Sequence, residues 1–298
     1  MHAIEIDALT KRYGARRGIE NVTFSVPAGT MFGFIGPNGA GKTTTIRLLL
    51  GLIFPTSGAA RLFGRDVAAG PAARAGVGYV PGETSLYPAM RVADLLAFAG
   101  RFHPGDHARR RAELAEAFDV DLAARAGELS LGNRKKVAIV AALQHRPRLV
   151  VLDEPTSGLD PVIKARLFEI LRREVAGGTT VFFSSHALAE VQAECRAVAV
   201  LSEGRLVAVD DVAELRGRQA RRVRATFDGS PVDLAGLRGV AGLLRDGDTA
   251  TFLYDGPMPA LLAALAAAGP TDVQIVEPSL EEIFLHYYAK GGDHVGPA

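Results

Sequence analysis

The chain has 298 residues, of which 48% are hydrophobic and 22% are charged, so it is neither a disordered nor a fibrous protein. Its length leaves room for a main domain and a smaller one. The 34 basic and 33 acidic side chains nearly balance, whereas a dedicated nucleic-acid binder usually has a large basic excess. Nucleic acid is therefore not expected as a partner.

The cysteine content and the hydropathy pattern bear on the compartment. Cys195 is the only cysteine, which excludes an intrachain disulfide and suits a reducing cytoplasm, and we expect it to be a small buried apolar side chain. No basic region followed by a long apolar stretch comes after Met1, and no apolar run reaches the roughly 20 residues that span a bilayer. A cytoplasmic location is predicted, with any membrane-spanning part supplied by a partner.

Short apolar runs alternate with helix-length segments over the first 215 residues. The runs at residues 31–35, 149–152 and 181–183 predict strands, and the segments 42–50 and 162–175 predict helices. Residues 92–146 are almost wholly helical in pattern, and their arginine triplet at positions 109–111 predicts a solvated helix face. This order predicts an α/β fold with a largely parallel sheet and an inserted helical subdomain.

A glycine-rich segment lies between the first of these strands and the helix that follows. It matches the P-loop pattern completely, in which backbone N–H groups surround phosphate oxygens at a helix N-terminus. Lys42 is expected to reach the β- and γ-phosphate oxygens, and Thr43 to coordinate Mg²⁺. The predicted nucleotide-binding residues of this segment are Gly36, Pro37, Asn38, Gly39, Ala40, Gly41, Lys42, Thr43 and Thr44.

Two adjacent carboxylates follow the apolar run at residues 149–152. Such a pair is by itself more often a solvated turn, but the P-loop upstream gives it a chemical role. Asp153 is predicted to hold Mg²⁺, and Glu154 to polarise the attacking water as a general base. On these two elements alone, a GTPase, a kinase-like enzyme and a recombinase-type motor remain open.

Further segments carry a resemblance to the ATPase subunits of ABC transporters. Residues 129–133, Leu-Ser-Leu-Gly-Asn, resemble the signature of that family, in a variant with leucine at its usual first glycine and asparagine at its usual glutamine. Residues 149–154 resemble its Walker B strand, and residues 157–160, Ser-Gly-Leu-Asp, resemble its D-loop. His186 matches its switch histidine, and Tyr13 matches the aromatic residue that stacks on adenine.

The resemblance covers about residues 1–215 and implies a P-loop NTPase of the ABC type that binds ATP and Mg²⁺. It implies that Glu154 and His186 are catalytic, and that Ser130 and Gly132 bind the γ-phosphate held by the opposite protomer. The expected partners are a membrane-spanning permease on a separate chain and a second ATPase subunit, identical or homologous. The protein would then be peripheral at the inner face of the cell membrane.

One feature of the sequence indicates the kind of transporter, and another is a departure from the family pattern. The variant signature and the segments 78–83 and 278–285 resemble the ATPases of drug, antibiotic and natural-product exporters. Gly82 stands where the Q-loop of the family has glutamine, or in some exporters glutamate. Either Glu83 rotates in or a water fills the gap, so the Mg²⁺ site is expected to rest on Thr43 and Asp153.

The composition changes after about residue 215, and residues 216–298 predict a small α+β domain that regulates or docks. Residues 216–222 predict a linker, and the alternation of residues 223, 225 and 227 predicts a strand. Pro259 opens a helical pattern that Gly269 closes. Ser279 and Glu282 form a capping box, ahead of a helix that carries the aromatic residues Phe284, Tyr287 and Tyr288.

Other functions remain as alternatives. A soluble ABC-type ATPase acting on nucleic acid or ribosomes tends to have two ATPase units or a very long coiled coil, and the chain shows neither. A non-hydrolysing nucleotide sensor is disfavoured by the intact Glu154 and His186. A GTPase is disfavoured because no Asn-Lys-x-Asp or Thr-Lys-x-Asp segment is present. The cargo is not encoded in this chain if a separate permease selects it.

Overall fold

In a computed structural model, the described residues are 1–14, 16–212, 221–229, 234 and 236–276. The chain divides into two compact units, Met1–Val209 and Asp210–Ala298. Over the described residues, no helix is long and apolar enough to cross a membrane.

The first unit is built on two sheets. Its strands are β1 (His2–Tyr13), β2 (Arg16–Pro27), β3 (Met31–Ile35), β4 (Ser57–Leu62), β5 (Arg65–Asp66), β6 (Val77–Val80), β7 (Leu149–Asp153), β8 (Thr180–Ser185), β9 (Ala197–Ser202) and β10 (Arg205–Asp211). One sheet has the order β2-β1-β4-β5 with antiparallel pairs, and the other has the order β10-β9-β3-β8-β7-β6. In the second sheet every pair from β9 to β6 is parallel. The predicted parallel sheet and its three strands are confirmed, whereas the antiparallel sheet was not predicted.

Six helices are described in the first unit. They are α1 (Lys42–Leu49), α2 (Val92–Gly100), α3 (Ala108–Ala117), α4 (Leu131–Leu143), α5 (Pro161–Ala176) and α6 (Leu188–Glu194). The helices predicted at residues 42–50 and 162–175 are confirmed within one residue at each end. The segment 92–146 is not almost wholly helical as predicted, because loops separate α2 from α3 and α3 from α4. The predicted insert is therefore three separate helices.

An aromatic cluster joins the two sheets of this unit. Phe24 of β2 packs against Phe32 and Phe34 of β3 and against Phe182 of β8, with ring centroids 5.6 to 6.3 Å apart. Ile46 of α1 belongs to the same buried cluster. Because β3 is held from both sides, the loop at its carboxyl end and the start of α1 have a fixed base.

Two side-chain predictions have different outcomes. Cys195 is buried and unbonded as expected, and its burial raises the pKa of the thiol. Arg109 is exposed, but Arg110 does not lie on a solvated face, since its guanidinium pairs with Glu174 of α5 and only 21% of the side chain is exposed. The ion pair between α3 and α5 explains why a charge pattern alone was misleading at this position.

The second unit contains a four-stranded antiparallel sheet and one described helix. The strands are β11 (Arg221–Thr226), β12 (Val240–Asp246), β13 (Thr249–Tyr254) and β14 (Asp272–Val276), in the order β12-β13-β11-β14. The helix is α7 (Met258–Ala268), which ends at Gly269 as predicted, and Gly269 adopts a left-handed conformation. Its Leu261 and Leu265 pack with Val223 and Phe252 of the sheet.

The start of this unit corrects the predicted linker at residues 216–222. Arg221 and Arg222 belong to β11, so the predicted linker cannot extend to residue 222; strand pairing with β13 and β14 overrides their loop-like composition. Phe227 follows the strand and is buried. The capping box at Ser279 and Glu282 and the aromatic helix after it lie outside the described part of the chain.

Candidate functional site

The glycine-rich loop joins the end of β3 to the start of α1, and its glycines are sterically required. Gly41 precedes α1 with a φ of 105°, a conformation that disfavours any side chain. A Cβ at Gly36 would lie 2.2 Å from the carbonyl oxygen of Leu201 in β9. The loop therefore runs close to the sheet and turns so that the N–H groups of the first turn of α1 are available to an anion.

Lys42 points back over this loop. Its Nζ donates hydrogen bonds to the carbonyl oxygens of Gly36 at 2.6 Å and Pro37 at 3.3 Å, and lies 3.3 Å from Oε1 of Glu154. The side chain is only 6% exposed. A nearly buried ammonium group is thus held at the mouth of the loop, where phosphate oxygens would meet it.

Asp153 ends β7 and forms hydrogen bonds with two neighbouring elements. Its Oδ2 accepts from Oγ1 of Thr43 at 2.8 Å, and its Oδ1 accepts from Oγ of Ser184 at 2.6 Å. Burial and the charge of Asp153 raise the pKa of the nearby Tyr79. Hydroxyl and carboxylate oxygens at this separation suit Mg²⁺, which is usually bound by one or two protein oxygens with phosphate and water. Thr43 and Asp153 thus fit the ion, although no group of three or more acidic, histidine or cysteine ligands converges among the described residues.

Glu154 is held in an unusual backbone conformation. Its φ is 49°, in the left-handed region that a non-glycine residue seldom adopts, and its N–H donates to Oγ of Ser184 at 3.0 Å. Its Oε2 lies 2.6 Å from Nδ1 of His186, and its Oε1 faces Lys42. Strained residues cluster at functional sites, and this one carries the carboxylate that the sequence marked as a base.

A cavity of about 510 Å³ brings most of the predicted residues together. Its lining comprises Tyr13, Gly18, Pro37, Asn38, Gly39, Ala40, Gly41, Lys42, Thr43, Thr44, Gly82, Glu154, Ser157 and His186. Gly36 and Asp153 do not line it but support residues that do, through the contacts with Lys42 and Thr43. A lining that combines a glycine-rich loop, charged side chains and an aromatic ring has the features a nucleotide site needs.

Tyr13 is the last residue of β1 and lines the cavity. Half of the side chain is exposed, and the ammonium group of Lys11 lies 5.3 Å from its ring centroid. A Cβ at Gly18 would lie 3.0 Å from the ring. The ring is therefore available to stack on a flat base, as the resemblance predicts.

Ser130 and Gly132 do not line the cavity. Ser130 is the N-cap of α4, where its hydroxyl accepts from the N–H of Asn133 at 3.3 Å. A Cβ at Gly132 would lie 2.6 Å from the carbonyl oxygen of Gly158, so the start of α4 packs against the loop after β7. Their predicted role concerns the nucleotide of an opposite protomer and stays a prediction.

Position 82 has no side chain, and the structure bears on the two replacements that the sequence suggested. Gly82 follows β6 and lines the cavity, and a Cβ there would lie 3.3 Å from Oδ2 of Asp153. Glu83 is exposed and does not line the cavity, so its rotation into the site is not what the structure shows. The expected Mg²⁺ ligands accordingly stay Thr43 and Asp153.

Three contributors to the site were missed in the sequence. Ser184 bridges Asp153 and the backbone of Glu154, and the polar pair that ends an otherwise apolar strand before His186 was the available signal. Glu190 accepts from the hydroxyls of Thr156 and Ser185 at 2.9 and 3.1 Å. Lys135 donates to the backbone at Gly82, and nothing local in the sequence indicates that contact.

Comparisons with known proteins agree with this geometry. The sequence model of the family described as ABC transporter matches residues 19–157. The chain is 32% identical to the ABC transporter ATP-binding protein YhaQ of Bacillus subtilis, over 95% of this chain and 97% of that one. It is 29% identical to the linearmycin resistance ATP-binding protein LnrL of the same organism, with the same two coverages.

Other relatives match over a smaller share of the chain. The Nod factor export ATP-binding protein I of Paraburkholderia xenovorans is 37% identical over 69% of this chain and 70% of its own. The Fe(3+) ions import ATP-binding protein FbpC of Pseudomonas fluorescens is 36% identical over 78% of this chain and 68% of its own. A solved ATP-binding subunit of an ABC transporter superposes with a TM-score of 0.69 at 32% identity, over 72% of this chain and 92% of that one. The predicted fold class is confirmed.

Proposed function

Because the chain belongs to the ABC transporter family as an ATP-binding, ATP-hydrolysing subunit, we propose that it powers the export of small molecules through a separate membrane-spanning permease. The cargo class proposed is drugs, antibiotics or other natural products. Relatives named for linearmycin resistance and Nod factor export support this direction. A relative named for Fe(3+) import matches over 78% of the chain, so the proposed direction relies chiefly on the linearmycin resistance protein, which matches over 95%.

The observation that carries the proposed chemistry is the cluster at the carboxyl ends of β3, β7 and β8. Three separate segments contribute to this cluster, which consists of Lys42, Thr43, Asp153, Glu154 and His186. Each of these residues contacts a residue of another segment at 3.3 Å or less. Phosphoryl transfer requires positioning and charge stabilisation rather than covalent chemistry, and these side chains can supply both.

In the proposed reaction, the tasks are divided among these residues. The N–H groups of the loop and Lys42 bind the phosphate oxygens of ATP, and Tyr13 stacks on adenine. Glu154 orients the attacking water and accepts its proton, while His186 holds Glu154 and hydrogen-bonds the γ-phosphate. Mg²⁺, when held by Thr43 and Asp153, supplies positive charge to the phosphate oxygens.

We further propose that two ATPase subunits, identical or homologous, close on two ATP molecules. Ser130 and Gly132 then bind the γ-phosphate of the opposite protomer from the N-terminus of α4, a helix of thirteen residues. The unit after Val209 is proposed to regulate or dock, because every residue of the cluster precedes it. Attachment to the permease would place the protein at the inner face of the cell membrane.

The export proposal is tested in the native host by replacing the chain with a Lys42→Ala variant. Loss of the ammonium group should abolish productive ATP binding, since no other cation contacts Gly36 and Glu154 in the same way among the described residues. Arg47→Ala, an exposed change at the far end of α1, is the matched control.

We expect the Lys42→Ala strain to retain natural products inside the cell or to become hypersensitive to them, as measured by mass spectrometry of cells and medium. The Arg47→Ala strain should behave as wild type. A strain that instead fails to take up a nutrient would contradict export, and normal ATP turnover by purified Lys42→Ala protein would contradict the role given to the loop.

A further inference from the structure

A second buried lysine lies beside the nucleotide cavity and is not part of the P-loop. Lys135 of α4 is 1% exposed, and its Nζ donates to the carbonyl oxygens of Pro81 at 2.9 Å and Gly82 at 2.6 Å. Burying an ammonium group is costly, and an apolar side chain would fill the same space more cheaply. The two short hydrogen bonds therefore indicate a specific contact.

The charges around Lys135 fit this environment. Burial lowers the pKa of its ammonium group, while the carboxylates of Asp153 and Glu154 act in the opposite direction. The ammonium group is thus influenced by the charges of the same two carboxylates that belong to the cluster. Its two hydrogen bonds go to backbone carbonyls rather than to either carboxylate.

A close helix–strand contact brings Lys135 within reach. A Cβ at Gly78 of β6 would lie 2.3 Å from the carbonyl oxygen of Ala142 in α4, so only glycine lets the helix lie directly on the strand. Pro81 and Gly82 follow the last residue of β6. With the helix at this distance, one lysine side chain spans the gap to both carbonyls.

The backbone at Gly82 can be held only by contacts from other residues, because Gly82 has no side chain. It lines the cavity and faces Oδ2 of Asp153, yet it has no side chain to hold it there, and glycine backbone is the most mobile in the absence of such contacts. The Q-loop of the family has a glutamine or glutamate at this position. Lys135 holds the same residue by its carbonyl oxygen instead.

The helix that carries Lys135 also begins at the proposed γ-phosphate contact. Ser130 caps α4, and Lys135 lies little more than one turn further along. A helix is rigid over so short a distance. Lys135 thus links the helix that Ser130 caps to the Gly82 backbone beside the cavity.

We propose that Lys135 is a positioning residue for ATP hydrolysis, whose ammonium group fixes the Pro81–Gly82 backbone against the nucleotide cavity in place of the side chain absent at position 82. The inference rests on the proposed function of the cavity. It concerns turnover rather than nucleotide binding, because the described hydrogen bonds of Lys135 go to Pro81 and Gly82 and not to the glycine-rich loop.

The test compares Lys135→Met with Lys136→Met, the same change at the next residue of α4, whose side chain does not contact Gly82. ATP turnover, the Michaelis constant for ATP, ADP affinity by calorimetry and the thermal midpoint are measured on the full chain. We expect Lys135→Met to lower kcat about tenfold, as misplacing a group at a reacting centre does. ADP affinity should be unchanged, Lys136→Met should resemble wild type, and Lys135→Arg should recover part of the loss.

A second background makes the test specific. In a Gly82→Gln chain, position 82 has its own side chain beside Asp153. Lys135→Met should therefore lower kcat less than about threefold in that chain, because the effects of neighbouring residues are coupled. The proposal would be overturned if Lys135→Met lowered kcat equally in both backgrounds. It would also be overturned if ADP affinity fell together with the thermal midpoint, because the variant would then have a general loss of stability. Lys135→Gln replaces the methionine variant if that one does not fold. A wild-type chain without turnover, alone or with its permease, contradicts the proposed function itself rather than the role of Lys135.

Discussion

The carboxylate of Asp153 is shared between two hydroxyl groups, and this sharing sets its orientation. Thr43 approaches one oxygen from the P-loop, and Ser184 approaches the other from β8. The side chain is only 1% exposed, so neither hydroxyl can be replaced by bulk water. Ser184 also accepts the N–H of Glu154, which ties the strained residue to the same strand.

Ser184→Ala should therefore weaken both stability and Mg²⁺ response. The change leaves one oxygen of a buried carboxylate and one backbone N–H without their partner, at a cost of about 1–3 kcal/mol. We expect the free energy of unfolding in urea to fall by this amount, and the Mg²⁺ concentration for half-maximal turnover to rise.

A matched control lies on the same strand. Thr180→Val removes a buried hydroxyl that accepts from the N–H of Gly29 at 2.9 Å, at the opposite end of β8. It should lose about 1 kcal/mol of stability without any change in Mg²⁺ dependence. If both variants shift the Mg²⁺ response equally, the orientation of Asp153 does not depend on Ser184.

At the scale of elements, the sequence predicted what depends on local pattern. The P-loop and the strands β3 and β7 follow from glycine spacing and apolar runs, both of which are read within ten residues. The antiparallel sheet was missed because β1 is irregular: its pairing with β2 shifts register between Ile6 and Leu9, and Ala8 has a φ of 46°. These irregularities interrupt the alternation by which a strand is predicted.

Contacts between distant elements explain the remaining gaps in the site. Lys135 meets Gly82 across 53 residues of sequence, and Arg110 meets Glu174 across 64. Each contact depends on how closely a helix packs on its neighbour, which no periodicity encodes. The sequence thus identified the residues that line the cavity more completely than those that hold them in place.

The helical segment between β6 and β7 contains a histidine cluster that predicts a pH dependence. His145 follows α4 and stacks on His103 with ring centroids 3.5 Å apart, and His107 lies edge-on at 6.5 Å. Burial, followed by the charges of His103 and His107, lowers the pKa of His145 from 6.5 to about 4. Burial also lowers the pKa of His103.

The sign of the effect follows from proton binding. Between pH 6.5 and pH 4 the unfolded chain binds a proton at His145 and the folded chain does not, so stability is full above pH 6.5 and falls as the pH drops toward 4. For one such group the loss at pH 5 is up to about 2 kcal/mol. His145→Phe keeps an aromatic ring against His103 but cannot bind the proton.

Urea unfolding at pH 7.5 and pH 5.0 measures this prediction. The stability lost between the two pH values should be smaller in His145→Phe than in wild type by up to about 2 kcal/mol. His2→Phe, a change at a half-exposed histidine of β1, should lose as much as wild type. An identical loss in all three proteins would show that carboxylates alone account for the pH dependence.

At the scale of the whole molecule, the proposed nucleotide site is divided between two protomers, of which the second adds Ser130 and Gly132. The first unit contains the cavity, and Ser130 and Gly132 belong to the same unit but do not line the cavity. The proposal that a second ATPase subunit completes the site predicts this separation. The hydroxyl of Ser130 accepts from the N–H of Asn133, and no hydrogen bond between Ser130 and the cluster is described.

Glu154→Gln should separate binding from chemistry. The amide keeps the shape of the side chain but cannot accept the proton of the attacking water, so ATP is bound and not hydrolysed. If the subunit pairs with itself, a dimer should accumulate with ATP and Mg²⁺ and remain absent with ADP, because the γ-phosphate joins the two surfaces. Size exclusion with light scattering measures the mass, and Glu116→Gln, an exposed change on α3, is the control.

Adding Ser130→Arg to the Glu154→Gln chain tests where the second surface lies. The arginine side chain would occupy the space between the N-terminus of α4 and the opposite γ-phosphate, so the dimer should dissociate although each P-loop still binds ATP. Calorimetry on the double variant verifies that binding is retained, which separates lost pairing from lost affinity. Wild-type turnover by the Glu154→Gln protein, or a dimer that forms equally with ADP, would contradict the mechanism. A monomer under every condition would instead indicate that the second ATPase subunit is a different chain, since the cavity and the α4 surface would then be completed only by a homologue.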